Sequence, residues 1–291
     1  MKLEGTVVAA YGRHYLVELP DGGTLSCFPR GKKSGLACGD RVLVTRSGDA
    51  QGVIDAILPR RALLYRSNAF RQKLIAANVT RVFIVVATEP AFSEEFVTRC
   101  LVAAESQDLD ARIVLNKYDL IDRRASVEAA LMPFSRLGYP ILRLSARSGA
   151  GLDVLWSHLA KHAGVLVGPS GMGKSTLINA LVPEAQARTC EISQALGTGR
   201  HTTTHATLYR LPENASLIDS PGLREFGLRH LSWSELARGF REFRTLQGSC
   251  RFRDCRHDRE PGCAIRAAVE AGDIAPSRYA AFHRLVSELA R

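Results

Sequence analysis

The feature that most constrains this chain is Gly168-Pro169-Ser170-Gly171-Met172-Gly173-Lys174-Ser175, a match to GxxxxGK[ST]. It follows the short apolar run 165–167 and opens the apolar helical stretch that begins at Lys174 and Thr176. Glycines in such a loop let backbone N–H groups turn inward around phosphate oxygens, and the helix N-terminus adds the positive end of its dipole. Lys174 is then the candidate ligand of the β and γ phosphates, and Ser175 of Mg²⁺. A strand, this loop and a helix in that order require an α/β unit with a parallel sheet, and the rest of the chain must be arranged around it.

The base is addressed by Asn116-Lys117-Tyr118-Asp119, which follows the apolar run 111–115 as an NKxD motif. Asp119 offers two carboxylate acceptors to the N1–H and N2–H donors of guanine, a pair that adenine does not present. Asn116 and Lys117 would brace loop and base. Ser145-Ala146, after the run 141–144, is placed to complete a guanine pocket through its backbone. Asp219-Ser-Pro-Gly222 fits DxxG, with Asp219 holding Mg²⁺ through water and the Gly222 N–H sensing a γ phosphate. Between the phosphate loop and DxxG lies His201-Thr202-Thr203-Thr204 in a Gly-rich stretch suited to a switch loop. Thr203, with Thr204 second, is the candidate third Mg²⁺ ligand.

The order of these motifs is informative. Ras-like GTPases run phosphate loop, switch threonine, DxxG, NKxD, Ser-Ala; here NKxD and Ser-Ala come first. The domain is therefore circularly permuted, with the cut just after DxxG and the second switch wired into whatever follows. Leu223 stands where Ras-like enzymes carry the glutamine that positions the attacking water. Leucine cannot do that, so hydrolysis needs another polar group, and His201 is the best local candidate; the competing reading is an exposed loop histidine without a role.

Around this centre the pattern changes. Over 1–66 short alternating runs separated by Asp-Gly-Gly and Ser-Gly-Asp turns predict about five strands and an OB-like β-barrel, with a basic loop at Arg30-Gly31-Lys32-Lys33-Ser34-Gly35. Over 67–228 strands at 81–87, 111–115, 141–144 and 165–167 alternate with helices at 94–106, 127–137, 152–162 and 174–181. Over 229–291 the chain reads as helical, ending in a helix at about 277–290, interrupted by Cys250-x4-Cys255-x-His257-x5-Cys263. Three thiolates and one imidazole form a closed tetrahedral set for one structural Zn²⁺. The fold class is thus multi-domain: a barrel, a permuted P-loop GTPase domain and a helical zinc-binding domain.

The net charge of +10 sits mostly in the flanks: ten basic and six acidic groups over 1–66, twelve and eight over 229–291, but seventeen and fifteen between. That excess suits a polyanion such as RNA and equally a solvated basic surface. No run reaches the eighteen or so apolar residues of a membrane span, and Glu4 and Gly5 interrupt any secretory signal, which places the chain in the cytoplasm. Nothing in the pattern demands an obligate dimer, so a monomer is expected.

Taken together, GPSGMGKST, GRHTTT, DSPGLREFG and CRFRDCRHDREPGC resemble the circularly permuted bacterial GTPases of the RsgA/YjeQ type over nearly the whole chain. The resemblance implies a GTPase stimulated by the small ribosomal subunit in late 30S maturation, binding 16S rRNA and coupling hydrolysis of GTP to GDP with release. It also implies that the histidine of the HTTT run, here His201, is catalytic, and that zinc is held by Cys250, Cys255, His257 and Cys263. The alternatives are a P-loop kinase or ATPase, disfavoured by NKYD, and a nucleotide-gated RNA-binding protein with little turnover, which Leu223 keeps open.

Overall fold

The structure, a computed structural model, describes residues 2–31, 35–67, 72–185, 205–222 and 226–289. Alternation builds the first unit. Lys2–Tyr11 (β1), His14–Glu18 (β2), Thr24–Pro29 (β3), Arg41–Arg46 (β4) and Gln51–Ile57 (β5) turn alternate side chains inward, where Val17, Leu25, Val42 and Val44 form a separate core. β1 pairs with both β2 and β4, β2 with β3, β4 with β5, and β3 runs parallel to β5. The ring closes in the order 1-2-3-5-4, the five-stranded barrel expected from the sequence. Leu63–Ser67 (β6) and Gln72–Ala77 (β7), not among the expected strands, pair in a separate antiparallel ladder that straddles residue 66.

Periodicity changes to buried strands and amphipathic helices in the second unit. Arg81–Ala87 (β8), Asp110–Asn116 (β9), Ile141–Arg143 (β10), Ala163–Val167 (β11), Ala206–Leu211 (β12) and Ala215–Asp219 (β13) lie in the order β10-β9-β8-β11-β13-β12, all parallel except β12. All seven residues of β8 are buried because helices cover both faces. Glu94–Glu105 (α1) and Arg124–Arg136 (α2) pack on the face of Val82, Ile84 and Val86. Leu152–Leu159 (α3) and Lys174–Leu181 (α4) cover the face of Phe83, Val85 and Ala87. Ser93 starts α1 by accepting a hydrogen bond from the Phe96 N–H.

Strand pairing, loop docking and an ion pair of Glu18 on β2 with Arg210 on β12, at 2.6 Å, join barrel and α/β unit. β1 adds antiparallel to β12, with Ala9 opposite Thr207 and Ala10 opposite Ala206, so the two sheets run on as one. The loop before β4 docks on the end of β7: Ala77 N–H donates to the Cys38 carbonyl at 2.8 Å and Asn78 Nδ2 to the Gly39 carbonyl at 2.9 Å.

The C-terminal unit, with Trp233–Arg238 (α5), Arg241–Arg244 (α6), Ala264–Ala271 (α7) and Pro276–Leu289 (α8), docks on α1. Glu105 is buried, and it accepts from Arg241 Nε and Arg244 Nη2 at 2.6 Å each and from the Tyr139 hydroxyl at 2.9 Å. Arg278 and Glu242, each with 4% of the side chain exposed, pair at 2.7 Å, and Arg278 also donates to Thr98 of α1 at 2.8 Å. No described helix is long and apolar enough to cross a membrane.

Removing one partner of a buried pair strands the other charge. Arg278→Met is expected to cost about 3–5 kcal/mol of unfolding free energy in urea, most of it recovered in the Arg278→Met, Glu242→Leu double variant. Equal losses in single and double variants would show that the pair itself is not what the fold depends on.

Candidate functional site

The carboxyl ends of the parallel strands bring the sequence motifs to one edge of the sheet, where open α/β sheets bind their ligands. β11 delivers Gly168, β9 ends on Asn116, β10 leads into Ser145 and β13 ends on Asp219.

Asn116 is the buried hub of this edge. Its Nδ2 donates to the Met172 carbonyl at 2.9 Å, and its Oδ1 accepts from the Ala146 N–H at 3.0 Å. One side chain therefore ties the base-selecting loop to both the phosphate loop and the Ser-Ala loop. Gly173 makes the approach possible: its φ of +88° suits glycine, and a Cβ there would stand 2.3 Å from Asn116 Nδ2. Lys117 spans to the Glu89 carbonyl at 2.7 Å, while Thr88 donates to the Lys117 carbonyl at 2.8 Å. Tyr118 lies under the Arg124 guanidinium, 4.4 Å from the ring centroid. Asp119 is exposed, and the adjoining Ser145 hydroxyl, ahead of Arg147 and Arg124, holds its carboxyl below the usual range. It presents an ionised acceptor pair to solvent.

Gly168, Pro169, Ser170, Gly171 and Met172 precede α4, which begins at Lys174 and continues through Ser175 and Thr176. Lys174 is buried and donates from Nζ to the carbonyls of Gly168 at 2.8 Å and Pro169 at 2.9 Å. Burial lowers its pKa, and the Asp219 carboxylate opposes that. Asp219, 4% exposed, has its pKa raised to about 6 by burial, with Lys174 acting against the shift. Its Oδ1 is buried without a hydrogen-bond partner. An orphaned carboxylate oxygen beside the phosphate loop fits a cation or its bound water. The Gly222 backbone passes so close to the loop that a Cβ would meet Ser170 Oγ at 2.5 Å. DxxG and phosphate loop are thus in contact, as a sensor of a γ phosphate requires. His201, Thr202, Thr203 and Thr204, as well as Leu223 and Lys32, Lys33 and Ser34 of the basic loop, lie outside the described residues.

Apart from this edge, the ligand atoms of Cys250, Cys255, His257 and Cys263 all lie within 4.8 Å of one another. His257 Nδ1 is 3.6 Å from Cys250 Sγ and 3.4 Å from Cys263 Sγ. Its carbonyl accepts from the Tyr279 hydroxyl at 2.5 Å and lies 3.1 Å from His283 Nε2, both on α8. Burial, with its neighbours Cys263 and Cys250, pushes the Cys255 thiol up to about 12. Three thiols and an imidazole converging on one point fit a zinc ion, whose binding would displace their protons.

The sequence motifs omitted one part of the setting. Tyr11 of β1 lies against His205, the first described residue after the HTTT run, with ring centroids 4.6 Å apart. The apolar alternation of β1 shows a strand, but not that it pairs outside the barrel.

Known proteins share this arrangement. The family profile described as RsgA GTPase matches residues 57–229. A protein of Nitrosospira multiformis named small ribosomal subunit biogenesis GTPase RsgA is 53% identical over 287 residues, covering 99% of this chain and 91% of that one. A Burkholderia pseudomallei protein of the same name is 52% identical over 291 residues, covering 99% and 92%. Among solved structures, YjeQ from Thermotoga maritima aligns with a TM-score of 0.75 at 32% identity over 100% of this chain and 99% of that one. YloQ, described as a circularly permuted GTPase, aligns with a TM-score of 0.71 at 25% identity over 100% and 96%.

The buried Asp219 gives stability a sign with pH. Its folded pKa of about 6 exceeds the ordinary 3.8, so the native chain holds the proton more tightly between those values. That contribution is full below the lower value and is lost as pH rises through the upper one. Without nucleotide, wild type should lose up to about 3 kcal/mol relative to Asp219→Asn between pH 4 and 7, read by urea denaturation. Parallel profiles for the two proteins would contradict the assignment.

Proposed function

This chain belongs to the RsgA GTPase family, and from that premise we propose that it binds and hydrolyses GTP in step with maturation of the small ribosomal subunit, which stimulates turnover and is released on hydrolysis. The observation that carries the guanine assignment is the Asn116 tie, which holds the NKYD loop against the phosphate loop at 2.9 Å. Adenine does not present the paired N1–H and N2–H donors that an ionised Asp119 accepts from, which disfavours an ATP-dependent kinase or ATPase.

In this reading Asp119 accepts from guanine N1–H and N2–H, with Lys117, Tyr118, Ser145 and Ala146 bordering the base. The backbone from Gly168 to Thr176 surrounds the phosphates, and Lys174 exchanges its two carbonyl partners for β and γ phosphate oxygens. Ser175, Asp219 and Thr203, with Thr204 second, would hold Mg²⁺, which supplies charge neutralisation at the β and γ oxygens. The Gly222 N–H senses the γ phosphate. His201 orients the water that attacks the γ phosphorus; the new P–O bond forms as the bond to the β–γ bridging oxygen breaks, giving GDP and phosphate. Zinc on Cys250, Cys255, His257 and Cys263 would hold the C-terminal unit folded, since four protein ligands leave no position for substrate. The division of labour follows the units 1–66, 67–228 and 229–291: the basic flanks grip 16S rRNA of the 30S subunit and the centre times release. The protein works as a cytoplasmic monomer.

Turnover measured alone, with small subunits, with large subunits and with free RNA, beside an ATP control, tests this. Small subunits alone should raise GTP turnover about tenfold or more, and His201→Ala should remove most of that gain. Binding to the subunit should weaken steeply with salt. GTP binding without turnover on any particle would favour the nucleotide-gated RNA binder instead.

A further inference from the structure

One of the four candidate zinc ligands stands in a backbone conformation that its residue type seldom adopts. His257 has a φ of +62°, in the left-handed region, which a side chain with a Cβ occupies only where its surroundings hold it. The helix α8 supplies that hold. The His257 carbonyl accepts from the Tyr279 hydroxyl at 2.5 Å and lies 3.1 Å from His283 Nε2, which must carry the hydrogen because a carbonyl only accepts. Tyr279 and His283 are one helical turn apart, so both side chains project from one face of α8 and converge on a single oxygen. Their rings meet edge to face, 4.4 Å between centroids.

The imidazole is held as well as the backbone. Trp233, Phe243 and Phe282 bound it, with ring centroids 5.4, 6.0 and 6.1 Å away. Backbone and ring together aim Nδ1 at the Sγ atoms of Cys250 and Cys263. The helix that does this is itself anchored. Arg278, next to Tyr279, pairs with Glu242 and donates to Thr98 of α1, and further along α8 Glu288 accepts from Arg99 of α1 at 2.8 Å. A group mounted on α8 is therefore fixed relative to the GTPase sheet on which α1 packs.

We propose that Tyr279 and His283 are positioning residues for the zinc ion: from α8 they hold the His257 backbone in the conformation that presents Nδ1 to the metal. The idea rests on the zinc reading given above. Partners that orient a metal ligand govern affinity by about ten- to a hundredfold, although they never touch the ion. Zinc retention then depends on how the C-terminal unit is seated on the GTPase domain, because the helix that steadies His257 is the one docked on α1. The competing reading gives the two side chains a packing role alone, in which their loss lowers stability and leaves the coordination of the metal unchanged.

The test uses the full-length chain and reads zinc affinity by competition with a chromogenic chelator, and coordination by the visible d–d bands of the Co²⁺-substituted protein. Tyr279→Phe, which removes only the hydroxyl, should raise the zinc dissociation constant about tenfold and broaden the Co²⁺ bands. His283→Ala should do the same, while His283→Gln, which keeps an N–H donor, should stay within about threefold of wild type. A packing role alone would lower Tm with zinc affinity and Co²⁺ bands at wild-type values, and that result would overturn the proposal. Where one variant does not fold, the other carries the same expectation. Thr98→Val, which touches no ligand, should raise the dissociation constant about threefold; wild-type affinity there would overturn the dependence on α1. A wild-type chain that takes up neither zinc nor Co²⁺ would sink the zinc reading itself, and the proposal with it.

Discussion

The antiparallel pairing of β1 with β12 is the constraint on which the rest of the molecule depends. Without it the barrel would be an appended module and the GTPase sheet would end in an open edge. With it, eleven strands form one sheet, and the docking of Cys38 and Gly39 on Ala77 and Asn78 prevents the barrel from pivoting about that seam. On the opposite flank, Glu105 with Arg241 and Arg244, and Arg278 with Glu242 and Thr98, hold the C-terminal unit against α1. Both RNA-binding candidates are therefore mounted on one body, which gives a switch something rigid to push against.

The nucleotide edge balances charges that are costly to keep dry. Lys174 satisfies its ammonium with its own loop's carbonyls, whereas Asp219 keeps one oxygen unsatisfied. In the proposed reading a phosphate chain with its divalent cation would meet both groups. The unpartnered Asp219 Oδ1 is the one polar deficit that folding leaves at this edge among the described residues, and Asn116 ties the edge to the loop that carries Asp119.

Much of this was legible in the sequence, for a physical reason. Phosphate cradling, guanine selection and zinc ligation require particular side chains at short fixed spacings, so Gly168 to Ser175, Asn116 to Asp119 and the Cys250 to Cys263 set announce themselves. The unbroken buried run of β8 and the alternating strands β1 to β5 did so too. What escaped depends on pairing across long separations. The β6–β7 ladder reads as more alternating chain, and nothing in Leu63–Ser67 names its partner. Glu105 looks like an ordinary acidic residue at the end of α1 until two arginines some 136 and 139 positions away close on it. Tyr11 likewise reads as the end of a barrel strand, and only the register with β12 brings it to His205.

Native-state amide hydrogen exchange under increasing denaturant tests most directly whether barrel and GTPase sheet are one cooperative body. The predicted result is that the amides of Ala206–Leu211 facing β1 lose protection in step with the barrel strands, with a shared opening free energy, and that GTP with Mg²⁺ raises protection on both. Persistent protection of Ala206–Leu211 after the barrel has opened would contradict it.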